Sequence, residues 1–181
     1  PITGPSTDRA MVFQHYSLFP WMTAKNNVVF GIRQAKKTLK KNQARQLAQE
    51  YLQKVGMEQA GAKYPYQLSG GMQQRVAIAR ALAMDSQILL LDEPFGALDA
   101  KRRAELQQLL ADLWDAGSQR KTVIFVTHDI EEAILLADRI VFMRPGKIEA
   151  ELTVPYARPR RHEEILGSAS YKTLKAKLLD L

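Results

Sequence analysis

The sequence predicts an α/β fold in which a mainly parallel sheet is interrupted by a helical insertion. Two short apolar runs, Ile88–Leu91 and Val123–Val126, each end at a polar residue and precede a helical pattern, as buried parallel strands do. Ile140–Met143 supplies another strand, whereas residues 20–84 show helical periodicity instead. Ligands of open parallel sheets bind at the carboxyl ends of the strands. Functional residues are therefore expected there.

Local signals place the other elements. A strand is predicted at Ala10–Gln14, followed by a polar and aromatic loop that turns at Pro20, and Lys147–Val154 alternates weakly, as an edge strand does. Ser69 is placed to cap the helix that follows it, and Gly56 to end the helix before it. Helices are predicted at Asn42–Val55, Gly70–Met84, Arg102–Trp114, Ile130–Ala137 and Tyr171–Leu181.

Composition restricts the class of protein. The chain has 181 residues, 46% apolar and 25% charged, which suits one globular domain with a packed core. It has no cysteine, so a disulfide framework is excluded. The net charge of +7 is a weak indicator of nucleic-acid binding, because the basic residues are dispersed. Clusters such as residues 158–161 are interpreted as solvated surfaces, with an anionic membrane or an acidic partner as the alternative.

Three polar side chains follow the predicted core strands. Asp92 and Glu93 come directly after one strand, and His128 follows the next by two residues. The functional interpretation places a magnesium ion near Asp92, through its waters, and the water that attacks a γ-phosphate near Glu93. His128 would donate a hydrogen bond to that phosphate. The alternatives are a strand that ends in acidic turn residues and a structural histidine.

A serine and two glycines, Ser69, Gly70 and Gly71, begin a predicted helix. Glycines let a phosphate approach the backbone, and the free amides and the dipole of a helix N-terminus favour an anion. The alternative is a loop that needs flexible glycines for tight packing. His15 and His162 lie in a loop and a tail and receive no role.

Five motifs, in this order, resemble the nucleotide-binding domain of ABC ATPases and cover nearly the whole chain. The motifs are Phe13-Gln14, Leu68–Arg75 (LSGGMQQR), Ile88–Pro94 (ILLLDEP), Gly96–Asp99 (GALD) and Thr127–Asp129 (THD). The resemblance implies a P-loop NTPase (RecA-like) core with an inserted all-helical subdomain. It divides the chain into the Q-loop strand and loop at 1–19, the helical subdomain at 20–84, the ATPase core at 85–155 and a basic tail with a helix at 156–181.

The resemblance assigns the residues around one ATP and its Mg²⁺. Gln14 is implied as the Q-loop glutamine, which senses the metal and the γ-phosphate and links them to the permease. Asp92 is implied as the Walker B aspartate, and with Gln14 it is the implied metal ligand. Glu93 is the implied catalytic base and His128 the switch histidine.

Other residues are implied to act across a homodimer. Ser69, Gly70 and Gly71 match the signature that contacts the partner's ATP, and Asp99 matches the D-loop residue at the dimer seam. The family's common fifth signature residue is glutamine, where this chain has Met72. A polar contact from that side chain is therefore not expected.

The P-loop motif G-x-x-x-x-G-K-[ST] has no match in this sequence. The family places it before the Q-loop, so it is expected upstream of Pro1, and the fold is expected to be incomplete at its N-terminus. The strand that leads into it would lie between Val123–Val126 and Ile140–Met143, which are then not expected to pair directly. The chain by itself is expected to be inactive.

Finer likeness favours an importer. Phe95–Asp99 and His128–Ala133 look like importer ATPases, and Met143–Gly146 with Arg158–Arg160 supports a likeness to the nitrate, sulfonate and taurine group. The implied partners are two transmembrane permease subunits and, indirectly, a solute-binding protein, with no nucleic acid, at the cytoplasmic face of the plasma membrane. The aromatic loop His15–Asn27 is predicted to dock the permease, with packing in the core as the alternative. The alternatives are a soluble ABC ATPase that acts on nucleic acid and a catalytically inactive fragment.

Overall fold

The computed structural model describes residue 4 and residues 6–96, 98–115 and 121–181. Ala97 of the GALD motif lies outside the described residues. The chain forms two compact units, one of residues 1–103 with 119–126 and one of residues 104–118 with 127–181. The predicted four-part division of the chain stays a prediction. Within the described residues, every helix is too short or too polar to cross a membrane.

The first unit contains a parallel sheet of three strands. These are β1 (Arg9–Val12), β2 (Ile88–Asp92) and β3 (Thr122–Val126), in the order β1-β2-β3. Val12 lies opposite Leu91, so the carboxyl ends of β1 and β2 are side by side. The two predicted core strands are confirmed, whereas β1 ends two residues before the predicted Gln14.

Between β1 and β2 the chain forms three helices and two single 3-10 turns. They are α1 (Ala24–Ala35), α2 (Lys41–Lys54), the turns Glu58–Ala60 and Pro65–Gln67, and α3 (Gly70–Ala83). Helices α2 and α3 are confirmed within one residue of their predicted ends. The cap on α3 is confirmed as well, because Ser69 Oγ accepts a hydrogen bond from the amide of Met72 at 3.4 Å.

Helix α1 was not predicted, nor was the short helix at His162–Leu166, and the loop predicted to reach Asn27 ends at Thr23. Two asparagines, two valines and a glycine give this segment weak helix propensity. Packing decides its structure, because Val28 and Ile32 are fully buried. A Cβ on Gly31 would lie 2.9 Å from Cγ of Arg80 on α3, so the glycine allows the two helices to approach closely.

The described residues of the second unit form an antiparallel hairpin and four helical segments. Its elements are most of α4 (Ala100–Asp115), α5 (Ile130–Leu136), β4 (Arg139–Arg144), β5 (Lys147–Thr153), α6 (His162–Leu166) and α7 (Ala169–Leu179). Ile140–Met143 is a strand as predicted, and within the described residues β4 pairs with β5 alone. β3 and β4 thus belong to separate sheets, as the resemblance implies for strands that flank a third.

The basic cluster at residues 158–161 is partly buried, contrary to its interpretation as a solvated surface. Arg160 is 5% exposed, and its guanidinium donates to the carbonyl oxygens of Ala137 at 2.6 Å and Tyr156 at 2.9 Å. It also contacts Asp138 at 3.1 Å. Arg158 donates to the carbonyl of Leu136 at 2.7 Å. These two arginines therefore satisfy carbonyl groups at the end of α5.

Candidate functional site

Gln14 and Glu93 meet at the carboxyl edge of the parallel sheet. Gln14 follows β1 by two residues, and Glu93 directly follows β2. The Nε2 of Gln14 donates a hydrogen bond to Oε2 of Glu93 at 3.1 Å. Because the two strands are parallel neighbours, residues 79 positions apart in sequence come within contact. This contact places Gln14 beside one of the two acidic residues expected at the sheet edge.

The backbone of Glu93 has an unusual conformation. Its φ is +43°, in the left-handed region, where a residue with a side chain costs about 1–3 kcal/mol and persists only when its surroundings hold it. The amide of Glu93 donates to the carbonyl of Val126 at 3.0 Å, and its carbonyl accepts from Gly96 at 3.3 Å. The strand β3 and the turn after β2 thus fix the start of this side chain. Such strain is concentrated at functional sites.

Asp92 ends β2 opposite Val126 and is half-buried. Its carboxylate and the side-chain oxygen of Gln14 are hard oxygen donors at the ends of adjacent strands, the type that Mg²⁺ prefers. No cluster of three or more His, Cys, Asp or Glu side chains suited to a metal occurs in the described residues. Mg²⁺ needs no such cluster, because it is usually held by one or two carboxylates together with substrate phosphates. The residues present therefore fit a nucleotide-bound magnesium.

The signature residues lie at the first turn of α3, against the loop that follows Gln14. The hydroxyl oxygen of Tyr16 lies 2.5 Å from the point that a Cβ on Gly70 would occupy. No other residue type leaves room for this tyrosine in its present position. Gly71 is half-buried in the same turn. Sequence reasoning placed Tyr16 only in a docking loop and missed this contact, which no sequence pattern indicates.

Asp99 is an exposed residue that caps α4. Its Oδ1 accepts a hydrogen bond from the amide of Arg102 at 3.1 Å, and its carboxylate also contacts the Arg102 guanidinium at 3.4 Å. A contact across a dimer is consistent with its exposure. Its implied D-loop role stays a prediction.

His128 belongs to the second unit and is exposed on the loop between β3 and α5. The residues on either side of it are anchored within that unit. Thr127 Oγ1 donates to a carboxylate oxygen of Glu132 at 2.7 Å and accepts from the amide of Asp129 at 3.0 Å. Oδ1 of Asp129 caps α5 by accepting from the amide of Glu131 at 2.8 Å. Glu132 was not predicted as a functional residue, although an acidic residue three positions after a capping Asp129 is a recognisable signal of a helix start.

The aromatic loop between Gln14 and α1 has a defined shape, because Asn27 organises it. This asparagine is fully buried. Its Oδ1 accepts from the amide of Phe19 at 2.8 Å, and its Nδ2 donates to the carbonyl oxygens of Phe19, Met22 and Thr23 at 3.2, 3.2 and 3.1 Å. Arg80 fixes the preceding part of the loop by donating to the carbonyl of Ser17 at 2.8 Å. The loop is therefore preformed.

This loop borders an aromatic surface and a groove. The ring of Phe19 contacts those of Trp21 and Phe30, with centroid separations of 5.5 and 4.7 Å, and Trp21 is 70% exposed. Beside them lies a groove of about 520 Å³, lined by Met22, Asn26, Val29, Phe30, Arg33, Gln34 and Lys37. The surface combines exposed apolar area with a basic rim, features that indicate an interface.

The chain matches a known protein family. The family model for ABC transporters matches residues 2–96. The matched range includes the strand-end Gln14 and Glu93 and the capped glycine helix α3. The chain therefore belongs to the ABC transporter family, and its fold is a P-loop NTPase core.

Individual relatives agree with this assignment. The chain is 45% identical to the nitrate import ATP-binding protein NrtD of Synechococcus elongatus, over 99% of this chain and 66% of NrtD. It is 44% identical to the bicarbonate transport ATP-binding protein CmpD of the same organism, over 99% of this chain and 65% of CmpD. The chain thus spans about two thirds of these relatives. The nitrate importers of the predicted group are among its relatives, and bicarbonate transporters join them.

Solved structures show the same fold. The ATP-binding cassette MJ0796, in a dimeric post-hydrolysis state bound to ADP and Pi, matches with a TM-score of 0.73 and 38% sequence identity. The match covers 82% of this chain and 64% of that one. A second dimeric structure of MJ0796 matches with a TM-score of 0.74.

Proposed function

We propose that this protein is the ATP-binding and ATP-hydrolysing subunit of an ABC importer. The observation that carries the proposal is the contact between Gln14 and Glu93, held by a strained backbone at the edge of a parallel sheet. Two acceptor side chains, Asp92 and Glu93, emerge there together. Phosphoryl transfer requires little covalent chemistry from the protein and depends on positioning and charge stabilisation.

Gln14, Asp92, Glu93 and His128 each have a distinct part in hydrolysis. Glu93 accepts a proton from the water that attacks the γ-phosphate, and Gln14 orients the Glu93 carboxylate through the 3.1 Å hydrogen bond. Asp92 and Gln14 would hold Mg²⁺, which supplies positive charge to the phosphates. His128 donates a hydrogen bond to the γ-phosphate.

The active form is a homodimer with ATP at its interface. Support comes from the dimeric cassettes of known structure and from the exposure of Asp99. Ser69, Gly70 and Gly71 of one subunit bind the ATP of the other through amides at the N-terminus of α3, where the helix dipole favours an anion. The contact of Tyr16 with Gly70 joins the loop after Gln14 to this signature.

The transported solute is a small oxyanion such as nitrate, with sulfonates and taurine as further candidates. Two relatives, named for nitrate and bicarbonate transport, support an oxyanion. The ATPase subunit does not contact the solute itself, which a solute-binding protein delivers to the permease. Uptake of labelled nitrate by cells with and without the gene tests this part of the proposal.

The permease docks on the aromatic surface formed by Phe19, Trp21 and Phe30 and on the groove beside it. Two transmembrane permease subunits would each insert a cytoplasmic segment there, so that the protein works at the cytoplasmic face of the membrane. The support is the exposed apolar area of a loop that Asn27 preforms. A preformed surface binds without the cost of ordering a loop.

Glu93→Gln tests the catalytic assignment. In the full-length protein this variant keeps the shape of the side chain but removes the base, so ATP binding is expected to persist while turnover falls by about 10²-fold or more. Steady-state phosphate release and ATP-analogue titration measure the two effects. Turnover at the wild-type rate would remove Glu93 from this role.

Trp21→Asp tests docking, with Tyr66→Asp as the matched control. Both aromatic residues are highly exposed, at 70% and 78%, so both variants are expected to fold. Trp21→Asp places a charge in an apolar interface and is expected to abolish co-purification with the permease, whereas Tyr66→Asp retains it. Equal recovery of the complex in both variants would exclude this surface as the docking site.

A further inference from the structure

A buried carboxylate lies beside the loop that carries His128. Glu132, in the first turn of α5, is 5% exposed. Its Oε2 accepts the hydrogen bond of Thr127 Oγ1 at 2.7 Å, and its Oε1 accepts from Nε2 of Gln107 at 3.2 Å. Gln107, on α4, is 4% exposed. Donors from two different elements therefore hold the two oxygens of one carboxylate in place.

The carboxylate also determines the direction of the Thr127 hydroxyl. Its proton points to Glu132, so a lone pair remains to accept the amide proton of Asp129 at 3.0 Å. Thr127 and Asp129 are the two chain neighbours of His128. One hydroxyl group thus connects the backbone on both sides of the histidine to Glu132.

Capping of α5 does not explain why the Glu132 carboxylate is buried. Asp129 already caps α5, because its Oδ1 accepts from the amides of Glu131 and Glu132 at 2.8 and 3.3 Å. Burying a carboxylate is unfavourable unless hydrogen bonds compensate for lost hydration. A buried carboxylate at the third residue of a helix is expected where its hydrogen bonds hold neighbouring residues in position.

We propose that Glu132 and Gln107 form a clamp that positions His128 through Thr127. The clamp acts on the loop and does not touch the nucleotide, so Glu132 is a positioning residue. This inference rests on the proposed role of His128 at the γ-phosphate. An error of about 1 Å in the position of such a group lowers the rate by roughly 10²-fold.

Thr127→Val is the decisive substitution in the full-length protein, because it removes the hydroxyl at nearly constant volume. We expect kcat for ATP hydrolysis to fall about 10–100-fold, with KM changed less than about twofold, since the lost contact acts in the transition state. Thr127→Ser, which restores the hydroxyl, is expected to recover most of the turnover. Gln107→Leu removes the Nε2 donor to Oε1 of Glu132 and is expected to lower kcat about 3–10-fold.

Glu131→Gln is the matched control. Glu131 is the chain neighbour of Glu132, but it is exposed and contacts Lys175 on α7 at 2.5 Å. We expect its turnover to stay within about twofold of wild type. Thermal unfolding of every variant identifies any loss of activity that follows from unfolding alone.

A double-mutant cycle separates positioning from a general structural effect. In a His128→Ala background, Thr127→Val is expected to cause less than about a twofold further loss, because the histidine it positions is absent. If the full Thr127→Val loss persists in that background, or Thr127→Val alone keeps wild-type kcat, the clamp is refuted. Wild-type turnover of His128→Ala alone would instead refute the proposed role of His128, and the clamp with it.

Discussion

Substitution of the fully buried Asn27 by alanine is expected to loosen the aromatic loop that precedes α1. The side chain connects to four backbone groups, the amide of Phe19 and the carbonyl oxygens of Phe19, Met22 and Thr23. Two amide hydrogens serve the three carbonyl groups, so the set is equivalent to about three full hydrogen bonds. At about 1 kcal/mol net for each, the loss of unfolding free energy is roughly 3 kcal/mol.

Asn26→Ala is the control for this prediction. Asn26 has the same side chain one position earlier, but it is exposed, and its backbone amide makes the cap contact with Thr23. Its substitution is expected to change the unfolding free energy by less than about 0.5 kcal/mol.

Urea unfolding of the full-length protein, followed by circular dichroism, measures both variants, and the linear extrapolation gives the free energies. Recovery of the permease complex supplies a second measurement, which is expected to fall for Asn27→Ala. The reasoning would be refuted if Asn27→Ala were no more destabilising than Asn26→Ala.

Three further predictions concern separate parts of the chain. Gly70→Ala would place a Cβ 2.5 Å from the present position of the Tyr16 hydroxyl. The substitution is expected to displace Tyr16 and to reduce ATP turnover at least about tenfold. If adding Tyr16→Ala to this variant does not restore activity, displacement of Tyr16 is not the cause. Arg160→Met leaves carbonyl groups near the end of α5 without their donor and is expected to cost about 2–3 kcal/mol in urea unfolding, whereas Arg161→Met, 77% exposed, is expected to be neutral. Residues 1–181 contain no P-loop motif. When expressed alone, they are expected not to bind a fluorescent ATP analogue with magnesium. Saturable micromolar binding with steady phosphate release would overturn this expectation.

Part of the candidate site could be predicted from the sequence because it depends on a topological rule. Buried strands that run parallel bring their carboxyl ends to one edge, so the polar residues that follow them were expected at that edge. The order of the strands, which places Gln14 beside Glu93, is known only from the structure. The start of α3 was equally predictable, because a serine before two glycines specifies a cap by local hydrogen bonding.

Other features depend on neighbours that are distant in sequence. Helix α1 forms from residues of weak propensity because Val28 and Ile32 are buried and Gly31 lies against Arg80. Arg160 has the sequence context of a solvated basic cluster, yet carbonyl groups from another segment surround it. Neither the helix α1 nor the burial of Arg160 can be predicted from the local pattern of residues, because tertiary packing overrides local propensity.

The sequence by itself determined the class of fold, the order of the motifs and the residues of the sheet edge, because these follow from periodicity, capping and strand direction. Only the tertiary structure decided which side chains hold those residues in position. Tyr16 against Gly70, Asn27 within the aromatic loop and Glu132 beneath Thr127 are examples. Their partners are selected by close approach in space, which depends on how helices pack and not on local spacing along the chain.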